Sequence, residues 1–277
     1  MLRKAIIRRI VPEVEKAVTE LFERAIAKQK NPNDFLLFLE NGYLTDTPIK
    51  GFSPYVIGQG KEGIADFDRM EFFGAYVRTP FEADYNRARN KEKKKGIYRH
   101  SLYLELMMYT HFWESYPNLK TLKQLVNLVT GQEYEWLLEI PEFSRHEFIR
   151  EGIRDVFTKE GLLIANVITK AYNSQLRNAF AHSQFTFWYT DRITLGNYHG
   201  RPWERKSFTF DEWDEIFTTT AILYDILVKK RIEYKKKIAE TGNHLGVWIP
   251  NPRGHTLKYL VYDPIYNRYL WKANESK

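Results

Sequence analysis

The sequence predicts a mainly α-helical protein with a few short strands. Apolar residues recur at three- and four-residue spacing through most of the chain, as in the stripe Ala165, Ile168, Leu176 and Phe180. Aromatic and β-branched residues alternate with polar ones only near 185–195 and near the end of the chain. We therefore expect a helical bundle with a small β-hairpin insertion, an N-terminal helical extension and a short C-terminal β element.

The first part of the chain, residues 1–99, is predicted to be a mostly helical extension. Residues 3–29 have the pattern of an amphipathic helix that Pro12 interrupts near its start. Residues 41–60 are rich in glycine, proline, serine and threonine, which predicts an irregular connection. The lysine-rich segment 87–99 is predicted to be an exposed loop that marks the boundary to the next domain.

Residues 100–240 are predicted to form a helical domain. Its expected helices cover residues 101–115, 119–130, 132–139, 144–159 and 162–182. A hairpin follows the last of these helices, and KSFTF (206–210) adds a possible third strand. Thr209 with Glu212 then makes a capping box that begins another helix. The remaining residues, 241–277, are predicted to form a β-hairpin tail whose two strands flank an Asp-Pro turn.

The charge of the chain favours a polyanionic partner. Its 42 Lys and Arg residues exceed its 35 Asp and Glu residues, which gives a net charge of +7. Two basic runs stand out, RARNKEKKKGIYRH (87–100) and KKRIEYKKK (229–237). Each run alone is also typical of a solvated surface, but together they predict contacts with phosphates. The lysines expected to contact RNA are Lys93, Lys94, Lys95, Lys229 and Lys230.

Several classes of protein are disfavoured. The chain has no cysteine, which excludes disulfides and thiol catalysis. No apolar run approaches the roughly 18 to 20 residues of a membrane span, so we expect a cytoplasmic protein without membrane contact. GQGKEG (58–63) lacks the strand and helix of a dinucleotide-binding loop, and no cofactor is expected. His146-Glu147 begins like a zinc helix, but Arg150 stands where the second ligand would be, so no metal site is predicted.

The most informative stretch is QLRNAFAHSQF (175–185). Asn178 and His182 are four residues apart and therefore share one face of the predicted helix. Arg177 lies about 100° from Leu176 and off the apolar stripe, yet its length lets it reach the same place. We expect all three side chains to converge near the helix end. The alternative is purely structural, with His182 capping carbonyls and Arg177 pairing with a neighbouring acid.

In its R-N-x-x-x-H motif and the helical setting, the sequence resembles the HEPN superfamily over residues 100–240. The resemblance implies a metal-independent endoribonuclease, of the kind found as toxins or anti-phage defence effectors. It also implies a homodimer with a composite active site, Arg177, Asn178 and His182 as catalytic residues, and an antitoxin or another defence protein as a possible partner. Gln184 stands where one branch of the family has a modified tyrosine, so that form of control is not expected.

The chemistry is plausible from the residues themselves. RNA carries its own nucleophile in the ribose 2′-hydroxyl, a histidine titrates near neutral pH, and an arginine holds a phosphate with paired hydrogen bonds. Two other functions stay open. One is a HEPN-like RNA-binding or protein-interaction module without catalysis, and the other is a helical effector that meets a partner through its aromatic tail. The tail aromatics, including Tyr259, Tyr266 and Trp271, are expected to pack on a core rather than to stack on bases.

Overall fold

The computed structural model describes residues 1–42, 71–187, 191–242 and 244–272. Residues 43–70, which include the glycine motif at 58–63 and most of the predicted connection, lie outside the described residues. The helices are α1 (Lys4–Lys28), α2 (Asp34–Leu39), α3 (Phe81–Arg87), α4 (Lys91–Glu114), α5 (Tyr116–Val129), α6 (Arg145–Ile149), α7 (Asp155–Lys159), α8 (Ile164–Ala171), α9 (Ser174–Ala181) and α10 (Phe210–Thr241). A π-helical turn, Arg150–Arg154, joins α6 to α7, and residues 71–78 are also helical.

The strands form two small antiparallel sheets. The first contains β1 (Phe185–Thr186), β2 (Arg192–Leu195) and β3 (Ser207–Thr209), and the second contains β4 (His244–Asn251), β5 (Gly254–Asp263) and β6 (Arg268–Trp271). The predicted mainly α class is therefore confirmed. None of the described helices is both long and apolar enough to cross a membrane.

Helix α10 lies at the centre of the core. Trp213 and Phe217 on this helix are fully buried, and α1, α2, α4 and α8 all pack against it. The apolar side of α1, with Val14 and Leu21 fully buried, belongs to the same hydrophobic cluster. Helix α4 also runs without a break across the predicted boundary at residues 99 and 100.

Two predictions for the N-terminal part are corrected. The predicted loop at 87–99 is wrong from Lys91 onward, where α4 begins. The side chain of Asn90 accepts hydrogen bonds from the backbone N–H groups of Glu92 (2.7 Å) and Lys93 (3.4 Å), which is the capping that starts a helix. Helix α1 has the predicted extent, but it continues through Pro12 instead of breaking there.

Two predictions for the central part are also corrected. Residues 132–139 are not helical. Tyr134, Trp136 and Leu138 are buried and the residues between them are exposed, with a turn at residues 136 and 137. The single helix predicted at 162–182 is two helices, α8 and α9. They are separated at Tyr172, whose backbone is extended, and Asn173 caps α9 by accepting a hydrogen bond from Leu176 N at 2.8 Å.

The predicted β elements are present. The hairpin after α9 is β1 paired with β2, and the KSFTF strand is β3. The capping box is also confirmed, with Glu212 N donating to Thr209 Oγ1 at 3.2 Å and Thr209 N donating to Glu212 Oε2 at 2.8 Å. The tail has the two predicted strands, β5 and β6, and an additional strand, β4. The aromatic side chains of the tail differ in burial, since Tyr269 is fully buried whereas Tyr266 is 64% exposed.

Candidate functional site

The motif helix α9 lies beside α4 and runs in the opposite direction. The rings of Phe180 and Tyr109 are 6.2 Å apart, and those of Phe185 and Tyr103 are 6.3 Å apart. As the residue number rises from Phe180 to Phe185, the number of the contacting α4 residue falls from Tyr109 to Tyr103, which is the pattern of an antiparallel pair. Leu176, Ala179 and Phe180 are buried in this contact, and the other faces of α9 carry the polar motif residues.

Arg177 is held by an acid on α4. Its Nη1 lies 2.7 Å from Glu114 Oε1, and the Arg177 side chain is 12% exposed. The other carboxylate oxygen of Glu114 accepts from Arg145 Nη1 at 2.9 Å, and the same nitrogen also donates to the Glu114 backbone carbonyl at 2.9 Å. We call these three residues the arginine cluster. One carboxylate between two guanidinium groups leaves the cluster with a net positive charge.

Tyr172 lies next to this cluster, at the break between α8 and α9. Its burial raises the pKa of the phenol, and the nearby positive charge of Arg177 lowers it in part. A side-chain hydrogen bond with Arg177 also lowers this pKa, so the buried phenol lies against the guanidinium. Tyr172 thus helps to hold Arg177 in place beside Glu114.

Asn178 and His182 share one face at the end of α9. Asn178 is half-buried and His182 is exposed. The backbone N–H of His182 donates to Asn178 O at 3.1 Å, which is the last turn of the helix. Within the part of the chain that the structure describes, the His182 imidazole has no hydrogen-bond or ion-pair partner, and no hydrogen bond joins Arg177 to Asn178 or His182. Asn178 and His182 thus lie on the same face of α9, whereas Arg177 forms an ion pair with Glu114.

The first basic run borders a cleft at the other end of α4. The cleft has a volume of about 590 Å³. Its charged lining residues are Arg3, Lys91, Lys94, Lys95 and Arg99 together with the acids Glu92, Asp191 and Asp211. Lys94 places its ammonium 5.2 Å from the centre of the Tyr85 ring, and Arg99 donates to the Phe187 carbonyl at 2.6 Å. Lys93, the third predicted contact of this run, is exposed. The cleft and the arginine cluster lie at opposite ends of α4.

The second basic run is mostly paired with acids. Lys229 lies 2.5 Å from Asp225, and Lys230 lies 2.9 Å from Glu233 and is only 14% exposed. Lysines that are neutralised in this way release fewer counterions on binding a phosphate. Of the two runs, the first therefore offers the better contact surface for RNA.

The sequence indicates only part of this site. The structural alternative, in which Arg177 pairs with a neighbouring acid, agrees with the observed ion pair to Glu114. The place of Arg145 beside Glu114 depends on how α6 packs, which no local pattern reveals. Tyr172 lies at helical spacing between Ile168 and Leu176, so its hydroxyl gives no separate signal.

Comparisons with protein-family models, with curated proteins and with solved structures found no match. The fold and the site define a mainly helical protein with two small antiparallel sheets and a positively charged arginine cluster near an exposed histidine. In the described ranges, no three His, Asp or Glu side chains lie together as a metal ion would require.

Proposed function

We propose that the protein is a metal-independent endoribonuclease of the HEPN type, acting in the cytoplasm as a toxin or defence effector. The observation that carries this proposal is the exposed His182 imidazole. It shares a face of α9 with Asn178 and lies five residues from Arg177. An exposed imidazole without a partner among the described residues is free to exchange a proton with a substrate.

The proposed step uses the ribose 2′-hydroxyl as nucleophile. His182 accepts the proton of this hydroxyl while the 2′-oxygen forms a bond to phosphorus. The bond from phosphorus to the 5′-oxygen breaks, and the leaving oxygen takes a proton. The products are a 2′,3′-cyclic phosphate and a 5′-hydroxyl. General acid–base catalysis of this kind typically contributes about 10² to 10⁴ in rate.

The arginine cluster is suited to the scissile phosphate. Negative charge grows on the phosphate oxygens in the transition state, and fixed positive groups stabilise it without reorganising. Glu114 holds Arg177 in one orientation, and Tyr172 lies against the same guanidinium. In this proposal Asn178 orients either the phosphate or the imidazole.

A second copy of the chain would complete the chemistry. One histidine cannot act as base and as acid in the same step. In a homodimer, a second His182 beside the first would, in its protonated form, donate the proton that the leaving 5′-oxygen takes. The exposed surface beside α9 contains Tyr103 and Met107 of α4, which are 59% and 43% exposed. Apolar side chains of this kind support association between copies.

One observation favours the alternative of a non-catalytic RNA-binding or interaction module. Arg177 already has an ion pair with Glu114, which Arg145 reinforces. A residue held in this way serves stability equally well, so the arginine alone does not distinguish catalysis from a structural role. A structural role does not account for His182, which is exposed and has no side-chain partner in the described fold, so the experiment targets this residue.

The experiment incubates the purified full chain with mixed RNA in excess EDTA. We expect the parent to cut RNA and His182→Ala to leave it intact while melting like the parent. His255→Ala is the matched control, because this imidazole is also exposed but belongs to the C-terminal sheet, and it should cut at the parent's rate. Cleavage by His182→Ala at that same rate would overturn the proposal, as would activity that requires magnesium.

A further inference from the structure

The loop between β2 and β3 is a polar arm attached to the motif helix. We use the name arm for residues 197–206, NYHGRPWERK. Gln175 at the start of α9 binds both ends of it. Gln175 Nε2 donates to the Arg205 carbonyl at 2.9 Å, Arg205 N donates to Gln175 Oε1 at 2.8 Å, and Asn197 Nδ2 donates to the Gln175 carbonyl at 2.9 Å.

This attachment places the arm next to the candidate site. Gln175, Asn178 and His182 are separated by three and four residues and so lie on one face of α9. At the far end of the helix, Gly196 N donates to the Gln184 carbonyl at 2.7 Å. Hydrogen bonds therefore hold the arm at the start of α9 and hold Gly196, the residue before the arm, just beyond the end of α9.

The arm is ordered from within. Glu204 accepts hydrogen bonds from the backbone N–H groups of His199 (2.6 Å) and Arg201 (3.3 Å), and its carboxyl pKa is lowered mainly by the first of these bonds. Gly200 has a φ of +80°, a conformation that favours glycine, and Pro202 restricts the backbone further. The arm thus needs little additional ordering when a ligand binds.

An exposed aromatic side chain is displayed on this arm. Trp203 is 74% exposed, and the Arg201 guanidinium lies 5.8 Å from the centre of its ring. This indole is not part of the buried core, and an exposed aromatic ring beside an arginine is the combination on which unpaired bases stack. The arm carries three basic residues and one acid. Arg205 forms an ion pair with Glu212 at 2.6 Å and Arg201 lies 3.9 Å from Glu204, whereas Lys206 has no ion pair among the described residues.

We propose that Trp203 stacks on an unpaired base of the RNA whose phosphate is presented to His182, with Arg201 near the adjoining phosphate. This inference rests on the proposed function, because it assigns single-stranded RNA as the substrate of the same site. A base stacked on Trp203 would position the chain without selecting a sequence, since every base has a flat face. Paired bases in a duplex have no free face, so a duplex gains nothing from the indole.

The test measures binding apart from cleavage. Fluorescence anisotropy with a labelled single-stranded RNA and with a blunt-ended RNA duplex is carried out in the His182→Ala background, so that neither RNA is cut. Adding Trp203→Ala should weaken binding of the single strand about tenfold, since stacking on one aromatic ring is typically worth that much. Trp203→Phe should retain most of the affinity, and Trp203→Ala should leave binding of the duplex almost unchanged. Trp248→Ala is the matched control, a partly exposed tryptophan on the C-terminal sheet.

The outcomes separate this inference from the proposed function. It is overturned if Trp203→Ala binds single-stranded RNA like its background, if the duplex loses as much affinity, if Trp248→Ala has the larger effect, or if no RNA is bound. Binding through Trp203 by a protein that never cuts RNA would refute the nuclease proposal alone. Cleavage by the parent with a KM that Trp203→Ala leaves unchanged would refute this inference alone.

Discussion

Glu114→Gln tests whether the arginine cluster serves catalysis or only stability. The change keeps the shape of the side chain but removes the charge that Arg177 and Arg145 share. Hydrogen bonds to charged groups contribute about 1.5 to 3 kcal/mol each, and glutamine keeps one acceptor oxygen. We therefore expect the free energy of unfolding to fall by about 2 kcal/mol. For a chain of this size the melting temperature should fall by about 3 to 4 °C.

The same variant has a predicted kinetic effect. A misoriented Arg177 stabilises the transition state less, so turnover should fall about tenfold or more, because a group that stabilises developing charge is worth about 10² to 10³. The KM should not rise, since removing an acid near the phosphate increases the local positive charge. Thermal melting and initial rates on one RNA substrate measure both effects.

Glu133→Gln is the matched control for this change. Glu133 also lies between two basic groups, Lys30 at 3.0 Å and His255 at 3.2 Å, but it is 36% exposed and far along the chain from the motif. Its loss should cost about 1 kcal/mol or less and leave turnover unchanged. A Glu114→Gln protein that melts lower yet cuts RNA at the parent's rate would refute a catalytic role for Arg177.

Three further predictions concern pH, capping and salt. Burial raises the pKa of Asp34 to about 6 from an unfolded value near 3.8. The carboxyl therefore stays protonated to a higher pH in the folded than in the unfolded state, and the free energy of unfolding falls as the pH rises from about 4 to 6. In Asp34→Asn, urea unfolding should show a free energy of unfolding that falls less between about pH 4 and 6 than in the parent. The same pH profile in both proteins would contradict this prediction. Asn173→Ala removes the N-cap of α9 and should cost about 1 kcal/mol, which a melting curve equal to the parent's would disprove. Replacing Lys94 and Lys95 by glutamine should make the plot of log binding constant against log salt concentration shallower by about 0.7 for each lost contact with a single strand. Lys229→Gln should leave this slope unchanged, because Lys229 is already paired with Asp225. The reverse result would place the RNA on the second basic run.

The long helices could be predicted because their apolar stripes are local patterns. The capping box at Thr209 and the hairpin after α9 were recognisable for the same reason, since each depends on a few neighbouring residues. The lysine-rich start of α4 has the charge density of an exposed loop, whereas the signal for a helix is the single residue Asn90 that caps it. Lysine is itself a good helix former.

Other errors came from patterns that compete. Residues 132–139 contain enough apolar side chains for a helix, yet Tyr134, Trp136 and Leu138 alternate, which is the period of an extended chain. The break between α8 and α9 has no proline or glycine to mark it. Its one local signal is Asn173, a residue typical of helix N-caps.

The arrangement of the site was only partly accessible from sequence. The shared face of Asn178 and His182 follows from their spacing alone. The ion pair of Arg177 with Glu114 joins residues 63 positions apart on two helices, and the place of Arg145 depends on a third. Contacts of this kind follow from tertiary packing, which no window of sequence contains.

The most direct test of the proposed mechanism is the chemistry of the RNA ends produced in EDTA. If His182 moves the proton of the ribose 2′-hydroxyl, the products carry 2′,3′-cyclic phosphates and 5′-hydroxyls, and a single 2′-deoxy substitution at the cleaved position prevents the cut. Fragments with 3′-hydroxyl and 5′-phosphate ends, or cleavage that continues at the 2′-deoxy position, would contradict the account.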